Sequence, residues 1–193
     1  MKIKGDAMNS QLSIINSALS RMGANPISDM DEGTSTAILM GNVYNHAREY
    51  VLRLHPWSCC RKRELISPVA ETPKFGYSNA FPLPKDCLRI ISVNAENWEV
   101  EGRYVLADSD QLQLTYVWNS TKEQEWDSTL VEAFVLHLVS ETCKEITGSS
   151  AAGEVAAVKL QTVLQQAKTL NGMERPSQNF QDGYVSELIW SRF

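Results

Sequence analysis

The feature that most constrains this chain is a change of period along it. Apolar residues recur at steps of three and four near both ends, and that spacing vanishes in between. The run from Ser10 to Met22 places Leu12, Ile15, Leu19 and Met22 on one helical face. Gly23 is a stop signal, and Asn25-Pro26 prevents continuation. After the turn-rich connector from Ile27 to Gly33, Thr34 or Ser35 caps a second helix reaching about Leu54. Its expected apolar face is Ile38, Val43 or Leu39, Tyr50, Val51 and Leu54. His55-Pro56 marks its end, because the residue before proline is pushed out of helical geometry.

From about Cys59 to Trp118 the chain reads differently. Five of its seven prolines lie between Pro56 and Pro84. Short β-prone runs follow at 89–93, 98–101, 104–106 and 111–117, the last alternating polar and apolar residues as a half-buried strand does. Glu101-Gly102-Arg103 reads as a tight reversal.

Helical spacing then returns. Asp127, Ser128 and Thr129 offer caps, and Thr129 with Glu132 fits a capping box. A third helix carries Leu130, Phe134, Leu138 and Ile146, widened by Val131, Val135 and Val139, and ends at Gly148. A fourth spans about Ser150 to Leu170, with Val155, Val158, Leu160, Val163, Leu164 and Ala167 expected inside.

Two helical ends flanking one β-prone middle predict an α+β fold, mainly α. The expected core is a four-helix bundle, with a small antiparallel sheet inserted and an extended C-terminal arm. The expected boundaries are 1–57 and 121–170 for the helical pairs, 58–120 for the β insertion and 171–193 for a docking tail. In that tail Gly172, Pro176 and Gly183 break any long helix, yet Phe180, Tyr184, Leu188, Ile189, Trp190 and Phe193 are large and apolar. Such a segment folds back on its own domain or docks on a neighbour, and both readings stay open. Phe180, Tyr184, Leu188, Trp190 and Phe193 are the candidate docking residues.

Charge and chemistry narrow the function classes. A net charge of -5, from 18 basic and 23 acidic residues, argues against gripping phosphate backbones. The basic cluster Arg61-Lys62-Arg63 is too short for a nucleic-acid footprint. No apolar run approaches the roughly 20 residues of a membrane helix, and the N-terminus lacks a signal-like stretch, so a soluble chain made in the cytoplasm is expected.

Cys59, Cys60, Cys87 and Cys143 form no C-x-x-C pair and read as small buried groups in a reducing compartment. Cys59 and Cys60, beside the basic run, invite a lowered thiol pKa without an evident base. His46, His55 and His137 show no ligand spacing, so no metal and no cofactor is expected. His55 reads as a corner that packs the helix end on the sheet, and His137 as a flank residue. Phosphate-loop, G-x-S-x-G, H-E-x-x-H and dinucleotide motifs are all missing. Glu99 and Glu101 project to one side of a strand. They read either as the carboxylate pair of a hydrolase or as the charged face of an edge strand, and the edge reading is preferred.

Several stretches resemble one family. They are Ile15-Asn16-Ser17-Ala18-Leu19-Ser20-Arg21-Met22-Gly23-Ala24, then Ile27 and Asp31-Glu32-Gly33-Thr34, then Arg48 to Leu54 leading into His55-Pro56-Trp57. Phe81-Pro82-Leu83-Pro84-Lys85-Asp86-Cys87-Leu88-Arg89, Val100-Glu101-Gly102-Arg103 and Ile146-Thr147-Gly148-Ser149 follow in order. Together these resemble the tail tubular protein A family, the head-to-tail adaptors of short-tailed bacteriophages. The resemblance covers about residues 10 to 170 and is weakest in the tail. It implies a helical bundle with a β extension, assembled as a dodecameric ring in the virion. Its partners would be the portal on one side and the tail nozzle on the other, with double-stranded DNA passing through the lumen unbound. No catalytic residue is implied. A tail-associated cell-wall or polysaccharide hydrolase is the alternative, and a DNA-binding module is a third reading that the charge opposes.

Overall fold

A computed structural model of the chain describes residues 10–173. The candidate docking residues Phe180, Tyr184, Leu188, Trp190 and Phe193 lie outside the described residues. The fold is α+β, with four helices and two small antiparallel sheets of three strands each.

Helix boundaries fall where local chemistry sets them. Helix α1 (Gln11–Met22) is capped by Ser10, whose side chain accepts from the Ser13 amide, and closes at Gly23 with φ 74°. That left-handed conformation costs an L-residue about 1–2 kcal/mol, which is why glycine stands there. Helix α2 (Ser35–Leu54) is capped by Thr34, and α3 (Ser128–Thr147) by Asp127, whose carboxylate accepts from the Leu130 amide. Glu132 does not complete the expected capping box. It reaches Arg21 of α1 instead, through two hydrogen bonds of 2.7 and 2.6 Å. The cap is Asp127, so Thr129 is already helical and Glu132 stands two residues beyond the position from which a box carboxylate reaches back. Helix α4 (Ala151–Met173) includes Gly172, so that glycine does not end it as expected.

The helices are organised around α3. Helices α1, α2 and α4 each pack on it, whereas direct packing of α1 on α2 or of α2 on α4 is sparse. Leu130, Phe134, Leu138 and Val139 are nearly solvent-free in consequence, and each fully buried apolar side chain of this size contributes about 1.5–3 kcal/mol. Helix α2 corrects its expected face. Ile38 and Tyr50 are exposed and Val51 is buried as expected, with Val43 and Leu54 packed on the core, while Met40, Tyr44 and Ala47 join Val51 in the buried set. The buried set repeats at four, three and four, so the face toward α3 is rotated from the one chosen by counting the largest apolar residues. In α4, Val155 and Val158 are likewise exposed, and Ala156, Leu160, Leu164 and Ala167 make the contact. Leu160, Leu164 and Ala167 are buried as expected, and Gly153 and Ala156 join them where α4 approaches α3 closely. A Cβ on Gly153 would stand 3.3 Å from that of Cys143.

The β region forms two sheets where one was expected. Strands β1 (Arg61–Ile66), β3 (Cys87–Val93) and β6 (Leu112–Trp118) make one, in the order β1-β6-β3. Strands β2 (Asn79–Pro82), β4 (Trp98–Glu101) and β5 (Tyr104–Ala107) make the other, in the order β2-β5-β4. The β4–β5 hairpin turns through Gly102-Arg103, with Gly102 at φ 58°, as a two-residue loop requires of its first position. It pairs with β2 rather than β6, which divides the region.

The first sheet lies between two cores. From β6, Val117 joins the helical core, while Leu112, Leu114 and Tyr116 join the core shared with Phe81, Val105 and Ala107 of the second sheet. Strand β3 carries two register shifts against β6, at Leu88 and Ile91. Those two residues pack on the helical core, whereas Ile90 and Val93 pack on the other. Each bulge inserts one residue and re-aims a side chain, so this short strand serves both layers.

Candidate functional site

The last turn of α4 meets the corner between α2 and β1, and the junction is built from hydrogen bonds. Pro56 ends α2 and turns the chain, and Trp57 fills the corner, 2 % exposed, with its indole Nε1 donating to the Val51 carbonyl at 3.0 Å. His55 is buried and stands edge-on to Trp57, 4.8 Å between ring centroids. Asn171, 116 positions further along the chain, closes the junction. Its Nδ2 is 2.6 Å from His55 Nε2 and donates to the Pro56 carbonyl at 3.0 Å, while its Oδ1 accepts from the Ser58 hydroxyl at 2.7 Å. The Pro56 oxygen can only accept, so Nδ2 faces it as a donor, and His55 Nε2 must then be the acceptor. His55 is therefore neutral with its proton on Nδ1. Burial, followed by the charge of Arg89, holds its pKa below the ordinary imidazole value.

Beside this junction lies a cleft of about 350 Å³, lined by His55, Ser58, Cys59, Asp127, Thr129 and Asn171 among others. Cysteine, histidine and carboxylate side by side raise the question of a nucleophile. A cysteine nucleophile needs a base with a free lone pair. Here His55 Nε2 is engaged by Asn171, and the Cys59 thiol donates to Asp127 at 3.3 Å. No hydrogen bond joins Cys59 to His55 among the described residues. The Cys59 and Cys60 sulfurs are 3.8 Å apart. Their contact places Cys59 below the ordinary thiol range and, with burial, pushes Cys60 well above it. All four cysteines are free, with Cys60, Cys87 and Cys143 buried and Cys59 half-buried. The corner holds the ends of α2 and α4 together, and it is not arranged for thiol attack.

The expected carboxylate pair takes its edge-strand form. Strand β4 is exposed throughout and borders its sheet, and Glu99 and Glu101 stand opposite Leu106 and Tyr104, in no ion pair among the described residues. A different pair comes together. The Tyr116 hydroxyl donates to Glu64 at 2.8 Å and lies 3.2 Å from Asp86. Burial, and then the bond to Glu64, drive the Tyr116 pKa far upward. Lys62 completes the group, 2.5 Å from Asp86 and 4.0 Å above the Trp118 ring. Burial opposes ionisation of Asp86, but the Lys62 ammonium and the Tyr116 hydroxyl outweigh it and keep the carboxyl below its ordinary value. The basic cluster Arg61-Lys62-Arg63 is thus part of a strand, and Arg61 donates to the Pro56 carbonyl at 3.2 Å.

The outer face of α4 is the third feature. Across 23 residues this helix carries three charged side chains, Glu154, Lys159 and Lys168, and it exposes Val155 and Val158 at 54 % and 70 %. A solvent-facing helix normally carries charge there, and depletion of charge marks surfaces that other proteins cover. Leu65, Phe75, Trp98, Val100 and Tyr104 are exposed on the β side.

Among the described residues no group of three or more His, Cys, Asp or Glu side chains is placed to hold a metal ion. No described helix is long and apolar enough to cross a membrane. Neither the family models nor the curated proteins include a match to this chain. Sequence reasoning found His55 as a packing corner. It missed Asn171, which it assigned to the tail, and Asp127, which it saw only as a cap. Neither spacing nor composition links positions so far apart.

Proposed function

We propose that the chain is a structural head-to-tail adaptor of a short-tailed bacteriophage. In this reading the four helices act as the bundle of each subunit, and copies stand side by side in a dodecameric ring within the virion. The ring sits between portal and tail nozzle, and double-stranded DNA passes through its lumen. The observation that carries the reading is the outer face of α4, low in charge and exposing Val155 and Val158. It is a surface suited to burial against another folded surface, and side-by-side copies supply such a surface by closing a cycle. The family resemblance supplies the particular assembly. The net charge of -5 suits a channel past which phosphates slide. The large apolar side chains from Phe180 to Phe193 suit docking on a neighbour.

The test is a chain that stops after Met173, which keeps Asn171 and the α4 junction. The expected result is a folded protein with unchanged circular dichroism that no longer co-sediments with the portal. Loss of the fold would place 174–193 in the chain's own core and remove it from portal docking.

The hydrolase reading has one observation in its favour, the convergence of Glu64 and Asp86 on the Tyr116 hydroxyl. Purified protein, Glu64→Gln and Asp86→Asn are compared on a cell-wall zymogram. The adaptor reading expects no clearing from any of them. Clearing by the unmodified protein that either substitution abolishes would establish the hydrolase instead.

A further inference from the structure

The junction at Asn171 depends on the protonation of one side chain. We propose that it is an acid-opened latch on the C-terminal end of α4, closed by neutral His55 and released when His55 takes a proton. The inference is independent of the adaptor reading, because it rests on the hydrogen-bond geometry of the corner alone.

Asn171 has two amide hydrogens and one acceptor oxygen facing the α2–β1 corner, and all are used there, on His55 Nε2, the Pro56 carbonyl and the Ser58 hydroxyl. A proton on His55 Nε2 removes the lone pair that receives one amide hydrogen, leaving two N–H groups pointed at each other across 2.6 Å. Rotating the amide by half a turn does not repair this. It offers Oδ1 to the imidazolium but sets the same oxygen against the Pro56 carbonyl, so each orientation keeps one repulsive contact. Asn171 lies in the last described turn of α4.

Three of the four charges around His55 act in the same direction. Arg89 of β3, Lys168 of α4 and Arg61 of β1 all oppose a second positive charge, against Asp127 at the start of α3, which favours it. Asp127 is already engaged by the Leu130 amide and the Cys59 thiol. Cys59 lines the cleft together with His55 and Asp127. Opening relieves both the N–H contact and the burial of a charged ring, so protonation and release favour each other.

Amide hydrogen exchange of the full chain, corrected for the intrinsic rate at each pH, reads the latch directly. From pH 7.5 to 5.0 the opening of residues 167–173 is expected to rise by up to about tenfold per pH unit once the pH falls below the ordinary imidazole value of about 6.5, and to level off below the lowered pKa of His55 in the closed corner, while the amides of α3 stay protected. His55→Gln, whose side-chain oxygen accepts at every pH, keeps the turn protected and flattens the profile. Asn171→Ala leaves the turn open and insensitive to pH even at 7.5. Cys59→Ser retains the profile of the unmodified chain. A flat profile in the unmodified chain overturns the latch. So does a pH dependence that survives in His55→Gln or vanishes in Cys59→Ser, or loss of protection in α3 together with α4.

Discussion

Single side chains in this protein connect segments far apart in sequence. Asn16 of α1 exchanges two 2.9 Å hydrogen bonds with the backbone of Ile27 and fixes the connector on the helix it follows. Arg48, buried on α2, bonds Asn45 and Asn119, and Asn119 donates in turn to Glu49, so the end of β6 is tied to α2. The histidines carry a consequence for stability. Burial depresses the pKa of both His55 and His137, the latter stacked on Tyr50 at 4.7 Å and partly compensated by Glu141. The folded chain therefore binds fewer protons than the unfolded chain just below the ordinary imidazole value of about 6.5, and stability falls as the pH drops through that window. Asp86 and Glu132, whose pKa values are held low, add stability above the ordinary carboxyl range that is lost only at more acidic pH. The urea midpoint is expected to be lower at pH 5.5 than at pH 7.5, with much of the difference removed in a His55→Gln, His137→Gln double variant. An equal midpoint at both values would contradict the burial of these neutral rings.

At the scale of elements, the sequence was most legible where a terminus has its own chemistry. Ser10, Gly23, Thr34 and Gly148 mark helix ends because capping and left-handed backbone are local properties. Faces were less legible, because which side of α2 or α4 is buried depends on α3, not on the helix itself. Ile38, Val155 and Val158 show it, each apolar, correctly spaced and exposed. Strand β1 was hidden by its composition. Arg61-Lys62-Arg63-Glu64 alternates no apolar residues, and its pairing along β6 is held by the Lys62, Asp86 and Tyr116 contacts. Strand β2 ends on Pro82, a residue that argues against a strand until its place at a sheet border is known. The closest helix contact is also testable. At Gly153 a side chain would meet Cys143 and the Ser140 carbonyl at 3.3 and 3.4 Å. Gly153→Val is expected to push α4 off α3 and destabilise by about 1–3 kcal/mol in urea titration. A cost near zero would mean that α4 can slide without loss.

For the whole molecule, the described residues place a helical layer, a two-faced sheet and a second sheet in sequence, with one core on each side of the middle layer. That plan was legible in part. The order of helix, β region and helix was read from the change of period. The division of the β region into two sheets was not, because pairs as far apart as Arg61 and Val117 leave no local signal. The corner site was illegible for the same reason, since it joins His55, Asp127 and Asn171. The molecule presents a charge-poor helix face outward and holds the end of the same helix through a buried corner. In the proposed adaptor reading that outer face is covered by a neighbouring copy. Electron microscopy of the purified protein mixed with its portal tests that claim most directly. Closed rings of this chain, twelve copies around the portal axis with an open lumen, are the expected image. Portal particles left bare, with the chain remaining in solution as single subunits at concentrations well above micromolar, would contradict it.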